Sequence, residues 1–308
     1  MTHPTVATPS RAIGLPSPGF SVVGDSISTL AGWVPDGWRV HYGGEALVEG
    51  VEEPADAWWG AVIERFGGRL VANSSYSGSV VEGFGFPAGC SEERIRAVVG
   101  GDGELPDVVL VFMGLNDYGW GGGRNQVMGG SPSASAAPED IGGPCEVSAV
   151  ADPEALARFE AAYSRMLDGI LRMAPDAEAW CLTISPGTVP GDPEACWKHS
   201  IRGIDVDRYN GAIRRAAASM GARIADIRAF GIDYDAVDGA HPSAFGMRQI
   251  ADMAIAQMEG LPADPKLVAS LAGAPASRRR CSRAACAGCE HADRDPRRWT
   301  IYCHGGGN

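Results

Sequence analysis

Five short apolar segments recur along the 308-residue chain, and each is a continuous run of mostly hydrophobic residues rather than an alternation of apolar and polar positions. Such runs are typical of strands that are buried on both faces, as in a parallel sheet covered by helices. This pattern is the strongest constraint on the fold. The predicted strands are Phe20 to Val23, Arg69 to Ala72, Val108 to Phe112, Ala179 to Ile184 and Arg223 to Ile227.

Segments with helical periodicity separate these strands. The clearest runs from Pro153 to Met173, where Asp152 is the expected N-cap and apolar residues recur on one face. Strand and helix alternate five times, which predicts an α/β fold, namely a three-layer α/β/α sandwich around a five-stranded parallel sheet. The other predicted helices are Ala55 to Phe66, Glu92 to Val99, Asp207 to Met220 and Ser243 to Met258, the last capped by Ser243.

Charge and hydropathy exclude several classes of protein. No apolar run approaches the ~20 residues of a bilayer-spanning helix, and residues 1–18 contain four prolines but no continuous apolar stretch of the secretory type. We therefore expect a cytoplasmic protein with a flexible leader over residues 1–18. The net charge of -12 disfavours nucleic acid and anionic membrane surfaces as partners.

The composition changes near the C-terminus. The globular domain is expected over residues 19–262, a linker over 263–276, and a separate tail over 277–308 that carries seven arginines against three acidic residues. The tail also contains four of the eight cysteines, with one Cys-x-x-Cys pair among them, which is the ligand set of a structural zinc site. Disulfide bonds and a disordered tail with free thiols are the alternatives. The candidate ligands are Cys281, Cys286, Cys289 and Cys303.

Polar residues follow several of the predicted strands. Gly24-Asp25-Ser26 comes directly after the first strand, where a strand-to-helix turn would direct backbone N–H groups toward a developing negative charge. Taken alone, this triplet is better explained as a turn with an N-cap serine. Three further polar segments, 73–79, 114–117 and 238–242, are expected at the same edge, because the carboxyl ends of parallel strands meet there.

These segments together resemble the SGNH/GDSL hydrolases. The family's Gly-Asp-Ser block matches Gly24 to Ser26, with Ile27 where the family name gives Leu; its second block supplies a glycine, assigned to Gly78. Its Gly-x-Asn-Asp block matches Gly114 to Asp117, and its Asp-x-x-His block matches Asp238 to His241. The resemblance covers roughly residues 20–258 and implies the flavodoxin-like SGNH hydrolase fold.

The resemblance also implies roles for these residues. Ser26 is the expected nucleophile, His241 the base that activates it, and Asp238 the carboxylate that orients the imidazole. The expected oxyanion hole consists of the N–H groups of Ser26 and Gly78 and the side-chain amide of Asn116. The predicted activity is hydrolysis of carboxylic esters through an acyl-serine intermediate, without a catalytic cofactor or metal.

The substrate is predicted less sharply, as a small-molecule ester of short-chain or acetyl type, including acetylated carbohydrates. Thioesterase, lysophospholipase or acyltransferase activity on the same fold is an alternative, and so is a binding protein that contacts a protein partner through its Cys-rich tail. Tyr118 and Trp120 are candidates for the substrate pocket, with core packing equally open. For Asp25 and Asp117 we expect a bracing role in their loops.

Overall fold

A computed structural model describes residues 10–44, 48–83, 85–120, 153–196, 198–264 and 266–267. At its centre is a five-stranded sheet in which all neighbours are parallel, in the order β2-β1-β3-β4-β9. In chain order the strands are β1 (Gly19–Gly24), β2 (Arg69–Ser75), β3 (Val108–Phe112), β4 (Glu178–Leu182), β5 (Gly187–Val189), β6 (Asp192–Cys196), β7 (Ser200–Ile201), β8 (Ile204–Asp205), β9 (Arg223–Ala225) and β10 (Tyr234–Asp235).

The central sheet confirms the predicted strands. Every residue of β1 and β3 is buried, as the continuous apolar runs predicted. The strand order is the flavodoxin-like one, in which the chain reverses its direction of winding between β1 and β3, so ligands are expected beside the carboxyl ends of those two strands. β2 extends three residues beyond its predicted end, to Ser75, whereas β9 ends at Ala225.

Helices cover both faces of this sheet and complete the predicted three layers. α1 packs against α6, while α4 packs against both α2 and α5. The helices are α1 (Trp58–Arg65), α2 (Glu92–Arg96), α3 (Leu115–Trp120), α4 (Ala155–Met173), α5 (Val206–Met220) and α6 (Ala244–Met258).

The predicted helix starts are right in one case and wrong in another. Ser243 caps α6, since its side chain accepts a hydrogen bond from the Gly246 N–H at 3.1 Å. α4 begins at Ala155 rather than Pro153, with Glu154 at the N-cap and no side-chain cap, so Asp152 is not the cap that the Asp-Pro pair indicated.

Short strands beyond the central sheet were not predicted. β10, β5 and β6 form a small mixed sheet, and β7 and β8 form a hairpin. Most of these strands are only two or three residues long, which is too short for an apolar period to show. β10 matters for function because it leads into the Asp238 to His241 segment.

The predicted leader is anchored where it is described. The Ser10 hydroxyl donates to the Glu178 carboxylate at 2.5 Å, the Arg11 N–H donates to the same group at 2.9 Å, and Ala12 is buried. These contacts join residues 10–12 to the start of β4. Residues 1–9, residues 121–152 and the whole Cys-rich tail lie outside the described residues.

A fully buried arginine joins the strand ends near the predicted site. The Arg94 guanidinium, on α2, donates to the carbonyl oxygens of Gly24 at 2.9 Å, Ser74 at 2.8 Å and Pro87 at 2.7 Å. Burial lowers the pKa of Arg94 to about 10, which still leaves the group charged at neutral pH. One cation thus donates to buried carbonyls at the ends of both β1 and β2, and the Gly24 carbonyl accepts further hydrogen bonds from the Tyr76 N–H at 3.3 Å and the Ser79 hydroxyl at 3.4 Å.

Replacing Arg94 with methionine is expected to lower the free energy of unfolding by about 3 kcal/mol or more, because several buried carbonyls lose their donor. Arg96→Met on the same helix is the matched control: its guanidinium is exposed and its ion pair among the described residues is with Glu92, so we expect a change of about 0.5 kcal/mol or less. Urea unfolding followed by tryptophan fluorescence measures both. Equal losses in the two variants would contradict this role for Arg94.

Candidate active site

The segment after β1 forms a tight turn with Ser26 at its start. Ser26–Ser28 is a 3₁₀ turn, and the Asp25 carboxylate caps it by accepting the Ile27 N–H at 3.0 Å. A β-carbon at Gly24 would lie 2.4 Å from the Ser28 hydroxyl oxygen and 2.8 Å from that of Ser75, so this close approach requires glycine. The turn leaves Ser26 8% exposed at the carboxyl edge of the sheet.

Side chains from the core bind the last residue of the Ser26–Ser28 turn. Trp58 donates its indole N–H to the Ser28 hydroxyl, and Trp59 donates to the Ser28 carbonyl, both at 3.1 Å. The Asn73 amide donates to the same carbonyl at 3.1 Å. Both tryptophans are buried, and they also fix the backbone two residues after Ser26.

Ser26, His241 and Asp238 form a continuous hydrogen-bonded chain. His241 Nε2 lies 2.9 Å from Ser26 Oγ, and His241 Nδ1 lies 2.7 Å from Asp238 Oδ2. The other oxygen of Asp238 accepts the backbone N–H of His241 at 2.7 Å and that of Ala240 at 3.0 Å. With the proton on Nδ1, Nε2 is free to accept the serine hydroxyl.

Asp238 and His241 each stabilise the charged form of the other. Removal from water disfavours the imidazolium, but the Asp238 carboxylate outweighs it and raises the pKa of His241 above its ordinary 6.5. Desolvation likewise opposes ionisation of Asp238, yet His241 and the two backbone donors hold the pKa of Asp238 well below its usual range. Asp238 therefore stays a carboxylate at neutral pH and favours a proton on His241.

The three predicted oxyanion donors lie at the ends of β1, β2 and β3. Within the described residues, the backbone N–H groups of Ser26 and Gly78 donate to no protein acceptor. Gly78 has a φ of +72°, in the turn that the Ser79 N–H closes onto the Tyr76 carbonyl. Asn116 differs, because its amide nitrogen donates to Asp25 Oδ2 at 3.2 Å and to the Ser79 carbonyl at 3.0 Å.

Asp25 and Asp117 brace the loops in which they lie. Asp25 links the Ser26 turn to the Asn116 amide, and its burial raises the pKa to about 6, against the lowering effect of the Ile27 N–H and of two cations, His241 and Arg94. Asp117 accepts the N–H groups of Val81 and Glu82, and burial raises its pKa to about 7. These contacts agree with the expected bracing roles.

Tyr118 does not face a substrate. Its side chain is wholly buried, its hydroxyl donates to the Lys198 carbonyl, and its ring packs edge-on against Tyr209 with the centroids 5.6 Å apart. Of the two roles left open for Tyr118, these contacts favour packing in the core over the substrate pocket. The side chain of Trp120 and the four tail cysteines lie outside the described part.

One close neighbour of His241 was not predicted. The ring of His41 stacks on the His241 ring with the centroids 3.9 Å apart and the planes 9° from parallel. His41 belongs to an irregular segment between Ser28 and α1, where neither periodicity nor a motif indicates that a residue reaches the site. A search of the described residues finds no group of three or more His, Cys, Asp or Glu side chains that could hold a metal ion.

Residues 22–249 match the model of the GDSL-like Lipase/Acylhydrolase family, which is well over half of the chain. The chain belongs to this family. As a GDSL-like acylhydrolase it is a carboxylic ester hydrolase, in agreement with the resemblance found in the sequence. No curated protein sequence matches this GDSL-like chain significantly.

Solved structures resemble the GDSL-like domain. A protein described as a GDSL-like lipase from Bacteroides ovatus is 20% identical with a TM-score of 0.51, over 79% of this chain and 98% of that one. A second, from Bacteroides uniformis, is 24% identical with a TM-score of 0.49, over 77% and 93%. The aryl esterase of M. smegmatis is 17% identical with a TM-score of 0.44, over 80% and 100%. The first of these shows the shared fold.

None of the described helices has the length and apolar character that crossing a membrane requires.

Asp25→Ala is expected to lower esterase activity on the order of tenfold to a hundredfold, because it frees both the Ser26 turn and the Asn116 amide from their common carboxylate. Asp205→Ala is the matched control: Asp205 caps α5 by accepting the N–H two residues later, at 2.8 Å, as Asp25 does. Both variants should lose about 1 kcal/mol of stability. Steady-state kinetics and thermal unfolding of the pair separate positioning from capping, and unchanged kcat in Asp25→Ala would contradict the positioning role.

Proposed function

We propose that this GDSL-like hydrolase cleaves short-chain or acetyl esters of small molecules, including acetylated carbohydrates, through an acyl-serine intermediate on Ser26. The observation that carries the proposal is the hydrogen-bonded chain from Ser26 Oγ through His241 to Asp238, with distances of 2.9 and 2.7 Å. A serine hydroxyl is a weak nucleophile at neutral pH, and an imidazole in direct contact is the usual means of activating it.

In the acylation step, Ser26 Oγ attacks the ester carbonyl carbon while its proton passes to His241 Nε2. The carbonyl π electrons move onto oxygen and form a tetrahedral oxyanion. When the oxyanion collapses, the bond to the leaving alkoxide breaks, and the alkoxide takes the proton from Nε2. The alcohol departs and the acyl group remains on Ser26. Asp238 stabilises the imidazolium between the two proton transfers and keeps its own charge.

Deacylation repeats the same steps with water as nucleophile. Water gives its proton to His241 Nε2 and attacks the acyl carbon, and collapse of the second oxyanion returns the proton to Ser26 Oγ. The carboxylic acid is released and the free serine is restored. All of these steps use protein groups that lie in the described site.

The oxyanion is best served by the two N–H groups that lack a protein acceptor, those of Ser26 and Gly78. Asn116 can join them by exchanging its longer bond, the 3.2 Å contact with Asp25, for the oxyanion. Until that exchange, the bond to Asp25 holds the amide beside the Ser26 turn. Each such donor is typically worth about 3 kcal/mol of transition-state stabilisation.

The preference for short acyl groups rests on the apolar surface. A long acyl chain needs a continuous apolar groove. Among the described residues, only four large apolar side chains are clearly accessible to solvent, and they come from four separate segments. They are Leu15, Trp33, Leu105 and Leu261.

Ser26→Ala and His241→Ala are expected to lower kcat for p-nitrophenyl acetate by on the order of 10⁴-fold or more while the fold is retained. His199→Ala is the matched control, because His199 also pairs with a carboxylate, Asp233 at 3.0 Å, but on the exposed surface. Its activity should remain that of the wild type. Wild-type rates should fall from acetate through butyrate to octanoate.

Full activity of Ser26→Ala would reject the serine mechanism. Rates that rise with acyl length would reject the short-chain preference alone. Faster turnover when an acceptor alcohol is added, with transesterified product, would identify acyl transfer as the main reaction.

The pH dependence follows from His241, which must be neutral to accept the serine proton. Because Asp238 raises its pKa, kcat/KM should increase with pH through an acid limb centred above 6.5. Asp238→Asn removes that charge, so the acid limb should move to lower pH. kcat should also fall, on the order of 10⁴-fold, because His241 no longer keeps its proton on Nδ1. Asp25 also favours the imidazolium, whereas Arg39 disfavours it. An unmoved limb in Asp238→Asn would show that another group controls the profile.

A further inference from the structure

His41 lies face to face with the proposed catalytic base. The two imidazole planes are nearly parallel, at 9°, and their centroids are 3.9 Å apart, which is a full stacking contact. His41 is 5% exposed, so the stack is on the protein side of His241. His41 lies within the matched residues 22–249 but outside the four polar segments 24–26, 73–79, 114–117 and 238–242.

The backbone of His41 is connected to that of the nucleophile. The Thr29 hydroxyl donates to the Ser26 carbonyl at 2.8 Å, and the same hydroxyl oxygen accepts the His41 N–H at 3.1 Å. The His41 carbonyl accepts the Val48 N–H at 3.2 Å. One side chain therefore sets the position of the stacked ring relative to the turn that carries Ser26.

The surroundings keep His41 neutral. Burial lowers the pKa of His41 well below 6.5, and the positive charges of His241 and Arg39 lower it further, against the opposite effect of Asp238. A second imidazolium at 3.9 Å would repel a protonated His241, whereas a neutral aromatic face attracts it. The stack is thus compatible with a proton on His241 and not with one on both rings.

We propose that His41 is a positioning residue, whose neutral ring fixes the plane of the His241 imidazole and stabilises the imidazolium that forms during acyl transfer. The proposal rests on the serine mechanism given above. It adds a side chain that touches neither the substrate nor the reacting hydroxyl and acts only through His241.

The geometry explains why a third contact is needed. The two hydrogen bonds of His241, to Ser26 and to Asp238, lie at opposite sides of the ring, and neither strongly resists rotation of the ring about the line between them. A flat group stacked on the face does resist that rotation. The orientation of the Nε2 lone pair toward the serine hydroxyl therefore depends on the stack.

A purely space-filling role explains less well why residue 41 is a histidine. His41 Nδ1 is buried without a hydrogen-bond partner among the described residues, which is unfavourable for a side chain whose only role is to fill space. An apolar side chain of similar size would fill the same volume without that cost. This difference makes Phe and Leu informative replacements.

The test compares His41→Phe with His41→Leu, since both fill the space but only phenylalanine offers a flat aromatic face. We expect His41→Phe to keep kcat within about threefold of the wild type and His41→Leu to lose about tenfold in kcat with KM unchanged. The acid limb of kcat/KM should move to lower pH in His41→Leu only, because the imidazolium loses its aromatic neighbour.

Two results overturn the proposal: equal, near-wild-type kcat in both variants, which indicates packing alone, and equal loss in both, which indicates a role for the imidazole nitrogens. If His41→Leu does not fold, NMR of the wild type decides. The ring protons of His241 should be shifted upfield relative to those of exposed His199, and the absence of that shift overturns the stack. Full activity of Ser26→Ala would instead reject the underlying mechanism, so the two failures are distinguishable.

Discussion

A positive charge buried behind the carboxyl edge of the sheet is the interaction on which the site most depends. At this edge, the strands end in carbonyl groups that continue into loops and cannot all be paired by the sheet. Arg94 satisfies those of Gly24 and Ser74 with one guanidinium, and it reaches the Pro87 carbonyl as well. Since Gly24 immediately precedes Asp25 and Ser26, the orientation of the nucleophile turn follows from where this cation is held. The same cation favours ionisation of buried Asp25, which in turn fixes both the turn and the Asn116 amide.

Charges alternate from the core to the surface of the site. Arg94 is positive, Asp25 negative, His241 positive when protonated and Asp238 negative, and each neighbour along this series favours the charged form of the next. A neutral His41 stacks on the member whose charge changes during the reaction. Because Asp25 has a pKa of about 6, its charge is itself sensitive to conditions near those in which His241 titrates. The pH dependence of activity therefore reflects the titration of coupled groups. Single substitutions at Asp25 and Asp238 are needed to separate the contribution of each group.

The sequence predicted those features that depend on local pattern. Continuous apolar runs identified the five parallel strands, and the loops that follow β1 and β3 contained the residues that the fold brings together at one edge. Side-chain partners from distant segments were beyond prediction. Nothing near His41 indicates that it stacks on a residue two hundred positions later, and Arg94 resembles any arginine on an amphipathic helix until its burial is known. Tyr118 was left open for a related reason: its position next to Asn116 is compatible with the pocket and with the core, and only the orientation of its ring on α3 distinguishes them.

The distances between the side chains of the site consequently depend on the whole fold. Ser26 and His241 are separated by 215 positions, so their 2.9 Å contact requires that β1 and the segment before α6 be placed independently and precisely. The position of that segment is fixed from behind, where the Tyr234 hydroxyl donates to the Ala240 carbonyl at 2.6 Å and the Ser243 N–H donates to the Asp235 carbonyl at 2.9 Å. β10 and the start of α6 thus hold His241, while Arg94 and Asp25 hold the turn that carries Ser26. One hydrogen bond, from His241 Nε2 to Ser26 Oγ, and the stack of His41 on His241 link these halves directly, which is why the plane of His241 is sensitive to small displacements elsewhere in the fold.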